Sequence, residues 1–111
     1  MGKYARYLVV AFLAATIISV GSCSLQSHNR TRALDEISIG DAEKRVVELL
    51  GEPAVRELAD RPYLRYATQG CISPCVTRLW WEWPVFPGIE AWSVEFDSTQ
   101  RVIQTEHWIS P

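Results

Sequence analysis

The chain has 111 residues, which is enough for one small domain and not for two. Its thirteen Asp and Glu outnumber its eleven Lys and Arg, so the formal net charge at pH 7 is −2. A nucleic-acid partner is therefore not expected, because phosphate binding requires a basic surface. The chain also contains five tryptophans, and because a small domain buries a limited fraction of its surface, some of these rings are expected to be exposed.

The first 22 residues have the features of a secretory signal. Lys3 and Arg6 give a positive start, residues 7–22 carry no charge, and small residues precede Cys23. A transmembrane anchor is the alternative. The sixteen uncharged residues would form a helix of only about 24 Å, shorter than the hydrocarbon core of roughly 30 Å. The pattern therefore favours a cleaved signal over a membrane-spanning helix.

The end of this segment resembles the lipobox of bacterial lipoproteins, in which an aliphatic residue and two small residues precede a cysteine. The matching residues are Val20-Gly21-Ser22-Cys23. The resemblance implies cleavage after residue 22 and lipidation of Cys23, and Ser24 implies sorting to the periplasmic face of the outer membrane. Several acyl chains would make this anchor permanent, since one chain binds only marginally.

Beyond Cys23 the chain is expected to divide into two parts. Residues 24–33 are polar and without periodicity, which predicts a flexible tether. The domain boundaries are therefore a signal peptide at 1–22, a lipidated cysteine and tether at 23–33, and a folded domain at 34–111.

One helix is strongly indicated near the start of the domain. Asp41 is positioned to cap it, and Val46 and Leu50 recur at helical spacing among charged residues. Gly51 suits the positive-φ position after the last turn, and Pro53 prevents continuation. A hydrophobic staple on this helix is predicted from Ile37 and Ile39, and a weaker pattern predicts a helical turn at residues 34–37.

The chain after Pro53 has the composition of strands and turns. Aromatic and β-branched residues are concentrated in four segments, with the clearest alternation in the third, where Trp92, Val94 and Phe96 share one face. Helices followed by consecutive antiparallel strands predict an α+β fold: one or two N-terminal helices packed on a three- to four-stranded antiparallel sheet in a two-layer sandwich. The predicted strands are residues 63–68, 76–83, 91–96 and 102–109.

The helix and the third strand carry motifs that together resemble the SmpA/OmlA (BamE-like) lipoprotein domain. The resemblance covers roughly residues 34–109, with Asp41-Ala42 in place of the usual Met-Thr and Gln100 in place of a turn glycine. It implies an accessory of the machinery that assembles β-barrel proteins in the outer membrane. The matching residues are Ile39-Gly40-Asp41, Val46 and Leu50-Gly51-Glu52-Pro53, then Val94-Glu95-Phe96-Asp97 and Arg101-Val102.

Cys71 and Cys75 remain as a pair once Cys23 is lipidated, in a compartment that favours disulfides. They flank a three-residue loop between two predicted strands. Opposed hairpin residues lie about 4.5–5.5 Å apart at Cα, which a disulfide can bridge. A structural disulfide is predicted. A redox site would more often be Cys-x-x-Cys, and a structural zinc site needs four ligands, for which only His28 and His107 remain.

The tryptophan-rich second strand is the strongest candidate for a contact surface. Leu79, Trp81 and Trp83 alternate with Trp80 and Glu82, so one set is expected under the helix. Trp80, on the opposite face, is predicted to be exposed and to contact a partner, since Trp is enriched at binding hot spots. Trp83 is a further candidate for the same role. The alternative is that all these rings build the core.

The loop after this strand, residues 85–89, is apolar, and Phe86 is its candidate contact residue. No nucleophile–base spacing surrounds His107, so neither an enzyme nor a cofactor or metal is expected. The sequence predicts an outer-membrane lipoprotein whose domain binds a protein of the envelope. The alternative is an envelope lipoprotein that inhibits a secreted hydrolase by inserting Phe86 into its cleft.

Overall fold

The computed structural model of the protein describes residues 2–83 and 90–109, with the backbone alone for residues 16–27. Two helices precede a four-stranded sheet in this described part. Neighbouring strands are antiparallel and follow one another in the order of the chain, which confirms the predicted α+β class. The elements are α1 Lys3–Asp35, α2 Glu43–Leu50, β1 Val55–Leu58, β2 Thr77–Glu82, β3 Glu90–Phe96 and β4 Val102–Ile109.

Helix α1 continues through the segment predicted to be a flexible tether, so that prediction is wrong. Its last turns are held by the sheet. Arg30 Nη1 donates to the carbonyl oxygen of Glu82 at 2.8 Å, and the indole of Trp92 donates to Thr31 Oγ1 at 3.1 Å. Leu34 is buried in the core beside them. These long-range contacts stabilise the helix although the segment has no helical periodicity. The polar composition of the segment does not reveal them. Among the described residues, no helix combines the length and apolarity needed to cross a bilayer.

Helix α2 begins without the predicted side-chain cap. Ala42 stands at the cap position, and the amide of Glu43 donates instead to the carbonyl oxygen of Gln100 at 3.1 Å. The carboxylate of Asp41 accepts from the amide of Ser38 at 2.8 Å, which closes the turn before the helix. The amide of Val102 also donates to the carbonyl oxygen of Asp41, and this bond holds the turn against β4.

The end and the inner face of α2 agree with the sequence pattern. Gly51 has φ +84° and its amide donates to Val47, which terminates the helix, while Val46 and Leu50 are buried. Of the two residues predicted to form a staple before the helix, Ile37 is buried and Ile39 is 70% exposed, so the staple is wrong for Ile39.

The main core lies between the helices and one face of the sheet. The predicted alternation on β3 is confirmed, because Trp92, Val94 and Phe96 all point into this core. Trp81 faces the same side and donates its indole N–H to the carbonyl oxygen of Gly51 at 2.9 Å. The buried members from the two layers are Leu34, Ile37, Val46 and Leu50 against Leu79, Trp81, Trp92, Val94, Phe96 and Val102.

The other face of the sheet is covered by the long connection between β1 and β2, which we call the covering segment (residues 59–76). No strand forms at residues 63–68, so that prediction is wrong. The first strand is instead β1, which has four residues, and the chain leaves the sheet edge after it. Tyr63, Tyr66 and Ala67 lie against Trp80 in a second hydrophobic cluster. These aromatic residues, which have the composition of a strand, pack over the sheet and do not pair with it.

A disulfide closes the end of the covering segment. Cys71 and Cys75 are bonded to each other with their Cα atoms 5.3 Å apart, and both are buried. They do not oppose one another across a hairpin, as the sequence suggested, but close one loop of the segment just before β2 begins. The bond therefore restrains a stretch of chain that has no strand pairing of its own.

We expect reduction of this disulfide to lower the free energy of unfolding by about 2 kcal/mol, the chain-entropy value for a loop of this length. Urea denaturation of the protein with and without reductant measures the effect. The double variant Cys71→Ser/Cys75→Ser should resemble the reduced protein and show no response to reductant. Equal midpoints for oxidised and reduced wild-type protein would contradict the prediction.

Candidate functional site

A row of polar side chains crosses all four strands on the face beneath the covering segment. In the strand register Glu57 pairs with Arg78, Arg78 with Glu95, and Glu95 with Gln104. Directly paired residues project from the same face of a pleated sheet. Because β2 directs Leu79 and Trp81 to the helices, this row lies on the opposite side.

Glu57 and Arg78 form a buried ion pair at the β1 end of the row. Their side chains are 0% and 6% exposed. The Glu57 carboxylate accepts four hydrogen bonds: Arg78 Nε at 2.6 Å, Arg78 Nη2 at 3.0 Å, the Trp80 indole at 2.8 Å and the backbone amide of Tyr63 at 3.0 Å. Arg78 Nη2 also donates to the carbonyl oxygen of Gln69 at 2.8 Å. The pair thus joins β1 and β2 to the covering segment at two points, Tyr63 and Gln69.

The hydrogen bonds decide the charge of Glu57. Burial alone raises the pKa of a carboxyl group, but the bonds from Arg78, the Tyr63 amide and the Trp80 indole together outweigh it. The pKa of Glu57 is consequently held below its ordinary value of 4.5. Glu57 is therefore ionised at neutral pH and compensates the buried Arg78 guanidinium.

Trp80 is completely buried at the centre of this face, so the prediction that it is exposed and contacts a partner is wrong. The rings of Tyr63, Tyr66 and Trp108 surround it with centroids 5.6–5.7 Å away, and the Arg78 guanidinium lies 4.8 Å from its ring centre. The physical reason is the covering segment, which gives the second face a core of its own.

The other predicted contact residues are placed differently. Trp83 is half-buried at the margin of the main core, where its amide donates to the carbonyl oxygen of Glu90 at 2.8 Å. Phe86 and its apolar loop lie outside the described residues. Cys23 falls within the helical backbone of α1, and its side chain is outside the described part of the structure.

A cleft of about 290 Å³ opens between the covering segment and the polar row. Arg78, Glu95 and Gln104 provide one wall, and the covering segment provides the other, where Cys71–Cys75 closes the adjacent loop. Its lining consists of Ala67, Thr68, Gln69, Gly70, Ile72, Arg78, Glu95, Gln104 and Trp108.

Glu95 is the least compensated charge of this cleft. Its burial raises the pKa of the carboxyl group, the Arg78 charge lowers it, and the carboxylates of Glu57 and Glu106 raise it further. The net direction is upward. Glu106 is occupied in part by a hydrogen bond from Gln104 Nε2 at 3.3 Å, whereas no side chain in the described residues donates a hydrogen bond to Glu95.

Glu82 belongs to a different cluster. It accepts a hydrogen bond from Tyr63 Oη and lies 3.6 Å from Arg65. Burial and the hydrogen bond to Glu82 raise the pKa of Tyr63 to about 12. In the ranges 2–83 and 90–109, no group of three or more His, Cys, Asp or Glu side chains is arranged to hold a metal.

Sequence patterns did not indicate Glu57, Arg78 or Gln104 as members of a site. Arg78 could have been noticed, because alternation on β2 places it with Trp80 on one face, where an arginine between apolar strand residues needs a partner. Glu57 offers no such signal, since β1 was not recognised as a strand. The contact between Glu57 and Arg78 depends on the pairing of two strands in which these residues are twenty-one positions apart.

Comparison with known proteins returned no match to any family model, to any curated protein or to any solved structure. The resemblance to the SmpA/OmlA domain therefore stays a prediction, and the geometry of the chain itself carries the functional argument.

We expect Glu57→Gln to lower the free energy of unfolding by about 3–5 kcal/mol, because it leaves the buried Arg78 guanidinium without its countercharge. Glu48→Gln is the matched control, since the ion pair of Glu48 with Lys44 lies on the surface and should cost less than about 1 kcal/mol. Urea denaturation followed by tryptophan fluorescence gives both values.

The Glu57→Gln variant should also differ from the wild type in the pH dependence of its stability. Because the pKa of Glu57 is lowered in the folded state, its contribution to stability is complete above the ordinary value of 4.5 and is lost as the pH falls through the lower, folded-state pKa. Wild-type stability should therefore decrease more steeply below this pH than that of Glu57→Gln. Parallel pH profiles for the two proteins would exclude Glu57 as the charged partner of Arg78.

Proposed function

We propose that the protein is a bacterial envelope lipoprotein, anchored by acyl chains on Cys23 to the periplasmic face of the outer membrane. The positive start, the uncharged segment and the lipobox-like residues before Cys23 support this proposal. In the mature protein, α1 would then begin at the lipidated residue itself.

The contacts of α1 bear on how the domain would be held. Arg30 and Thr31 bond to the sheet, so only residues 24–29 separate Cys23 from the folded domain. Six helical residues span roughly 9 Å. The domain of such a lipoprotein would be held close to the bilayer by a helix and would not move on a long flexible arm.

We further propose that the domain is a protein-binding module and not an enzyme. The observation that carries this proposal is the outer edge of β4. The strand pairs on one side with β3, and beyond the backbone pairing of Val102 no described segment pairs with its other side. An unpaired strand edge is a template for strand addition by an extended partner segment.

Apolar side chains extend this edge at one end of the sheet. Ile109 is 69% exposed and pairs with Glu90, whose carbonyl oxygen accepts from the amide of Trp83. We call Ile109 and the outer edge of β4 the edge surface. By the resemblance to the SmpA/OmlA domain, the proposed partner is a component of the machinery that assembles β-barrel proteins. Inhibition of a hydrolase depends on Phe86, outside the described residues, and stays the alternative prediction.

The anchor is tested with Cys23→Ser. We expect wild-type protein to incorporate labelled palmitate and to sediment with outer membranes, and the variant to do neither, because the acylated thiol is lost. Cys71→Ser/Cys75→Ser is the control and should still be labelled. Palmitate uptake by Cys23→Ser would contradict the proposal.

Partner binding is tested with a photoreactive amino acid at position 109 in living cells. We expect a crosslink to a barrel-assembly component. Position 64 is the matched control, because Leu64 is 54% exposed but lies on the covering segment, on the other side of the molecule from the main core. Equal adducts at both positions, or adducts without any assembly component, would reject the edge surface as the binding site.

A further inference from the structure

We propose that the cleft beneath the covering segment binds a small zwitterion, an α-amino acid with a short apolar side chain. The site is separate from the edge surface and does not depend on the lipid anchor. Two charged groups line this cleft. They face each other across β2 and β3, and neither has its full set of hydrogen bonds.

The first group is the guanidinium of Arg78. Its Nε and Nη2 atoms bond to Glu57 and Gln69, which leaves both N–H groups of Nη1 without a hydrogen-bond partner in the described residues. No buried side-chain nitrogen or oxygen of the described residues lacks a partner, so Nη1 is not sealed in the protein. Because Arg78 lines the cleft and is otherwise buried, Nη1 is reached through the cleft. It offers two donors to a carboxylate.

The second group is the carboxylate of Glu95. It is half-buried, lines the same cleft and pairs directly with Arg78 in the strand register. Even so, the two side chains form neither a hydrogen bond nor a salt bridge. Opposed residues have Cβ atoms about 4.5–5.5 Å apart, so one small molecule can reach both. A zwitterion can direct its carboxylate to Arg78 and its ammonium group to Glu95.

The charge of the site favours a zwitterion over a simple ion. The Glu57–Arg78 pair is neutral as a unit, while Glu95 is a further negative charge in a partly desolvated place. A ligand ammonium would compensate Glu95, and the ligand carboxylate would take the two free donors of Nη1 in charge-assisted hydrogen bonds. An anion alone would face Glu95 unpaired, and a cation alone would face Arg78.

The size of the cleft limits the side chain of the ligand. Its volume of about 290 Å³ lies at the lower end of small-molecule sites. Ala67, Ile72 and the ring of Trp108 supply the apolar part of the lining. An apolar ligand side chain can lie against this part of the lining, which makes L-alanine a suitable probe.

The test is an NMR titration of the isotope-labelled full chain in detergent micelles, following the amides of Gln69 and Gly70 and the indole of Trp108. The probes are L-alanine, propionate, which lacks the ammonium group, and ethylamine, which lacks the carboxylate. We expect saturable shifts with L-alanine and at least about tenfold weaker binding of both other probes, because each loses one charge-assisted hydrogen-bond set.

Two variants make the test specific. Glu95→Gln keeps the shape of the side chain and should weaken L-alanine binding about tenfold without weakening propionate binding. Glu48→Gln, an exposed residue of α2 on the helical side of the sheet, should bind L-alanine like the wild type. The proposal is overturned if L-alanine at about 10 mM, which would saturate a millimolar site, shifts none of the three signals. Equal binding of propionate or ethylamine, or unchanged binding by a folded Glu95→Gln, overturns it as well. None of these outcomes affects the test of Cys23 or of position 109.

Discussion

The carboxylate of Glu57 lies inside the protein with four hydrogen bonds, two of them from the Arg78 guanidinium. A buried ion pair of this kind contributes little net stability, because desolvation of the two charges offsets most of their attraction. Its effect is on which structure forms. Only the register in which β1 pairs with β2 brings the two charges together, and only the folded covering segment supplies the Tyr63 amide and the Gln69 carbonyl. An altered register or a detached segment would leave charges buried without partners, so the pair selects a single arrangement of the second face.

Because the covering segment closes the second face of the sheet, Trp80 belongs to the interior and not to an exposed surface. A domain of this size has a limited interior, and a sheet covered on one side alone would leave Trp80 and Trp108 against water. The covering segment creates a second cluster around Trp80, and the Cys71–Cys75 bond restrains the last loop of this segment. Four of the five tryptophans donate their indole N–H to a group outside their own element: Trp80 to Glu57, Trp81 to Gly51, Trp92 to Thr31 and Trp108 to Ser93. Their indole N–H groups therefore link separate elements, and their rings supply apolar contacts in the core.

Sequence periodicity predicted the elements whose pattern is local. Helix α2, with Val46 and Leu50 inside and Gly51 at its end, and strand β3, with Trp92, Val94 and Phe96 on one face, are both determined by residues within a few positions of each other. The failures all depend on distant partners. Residues 28–33 are helical because Arg30 and Thr31 meet the sheet more than fifty positions later, and Asp41 is not a cap because Gln100 supplies the first bond of α2. The polar row was missed for the same reason, since its four members come from four strands. Composition alone could not distinguish the covering segment from a strand, because tyrosines suit both.

The proposed anchor and the proposed ligand cleft lie on different faces of the sheet, so the two proposals are compatible. Helix α1 meets the sheet through Thr31 and Trp92, which belongs to the main core, whereas the cleft of Arg78 and Glu95 opens on the opposite face. An anchor at the start of the mature chain would therefore approach the helical side and leave the cleft accessible. The outer edge of β4 borders both faces. A segment added to that edge would lie beside Gln104, which lines the cleft, and would place a protein partner next to the small-molecule site.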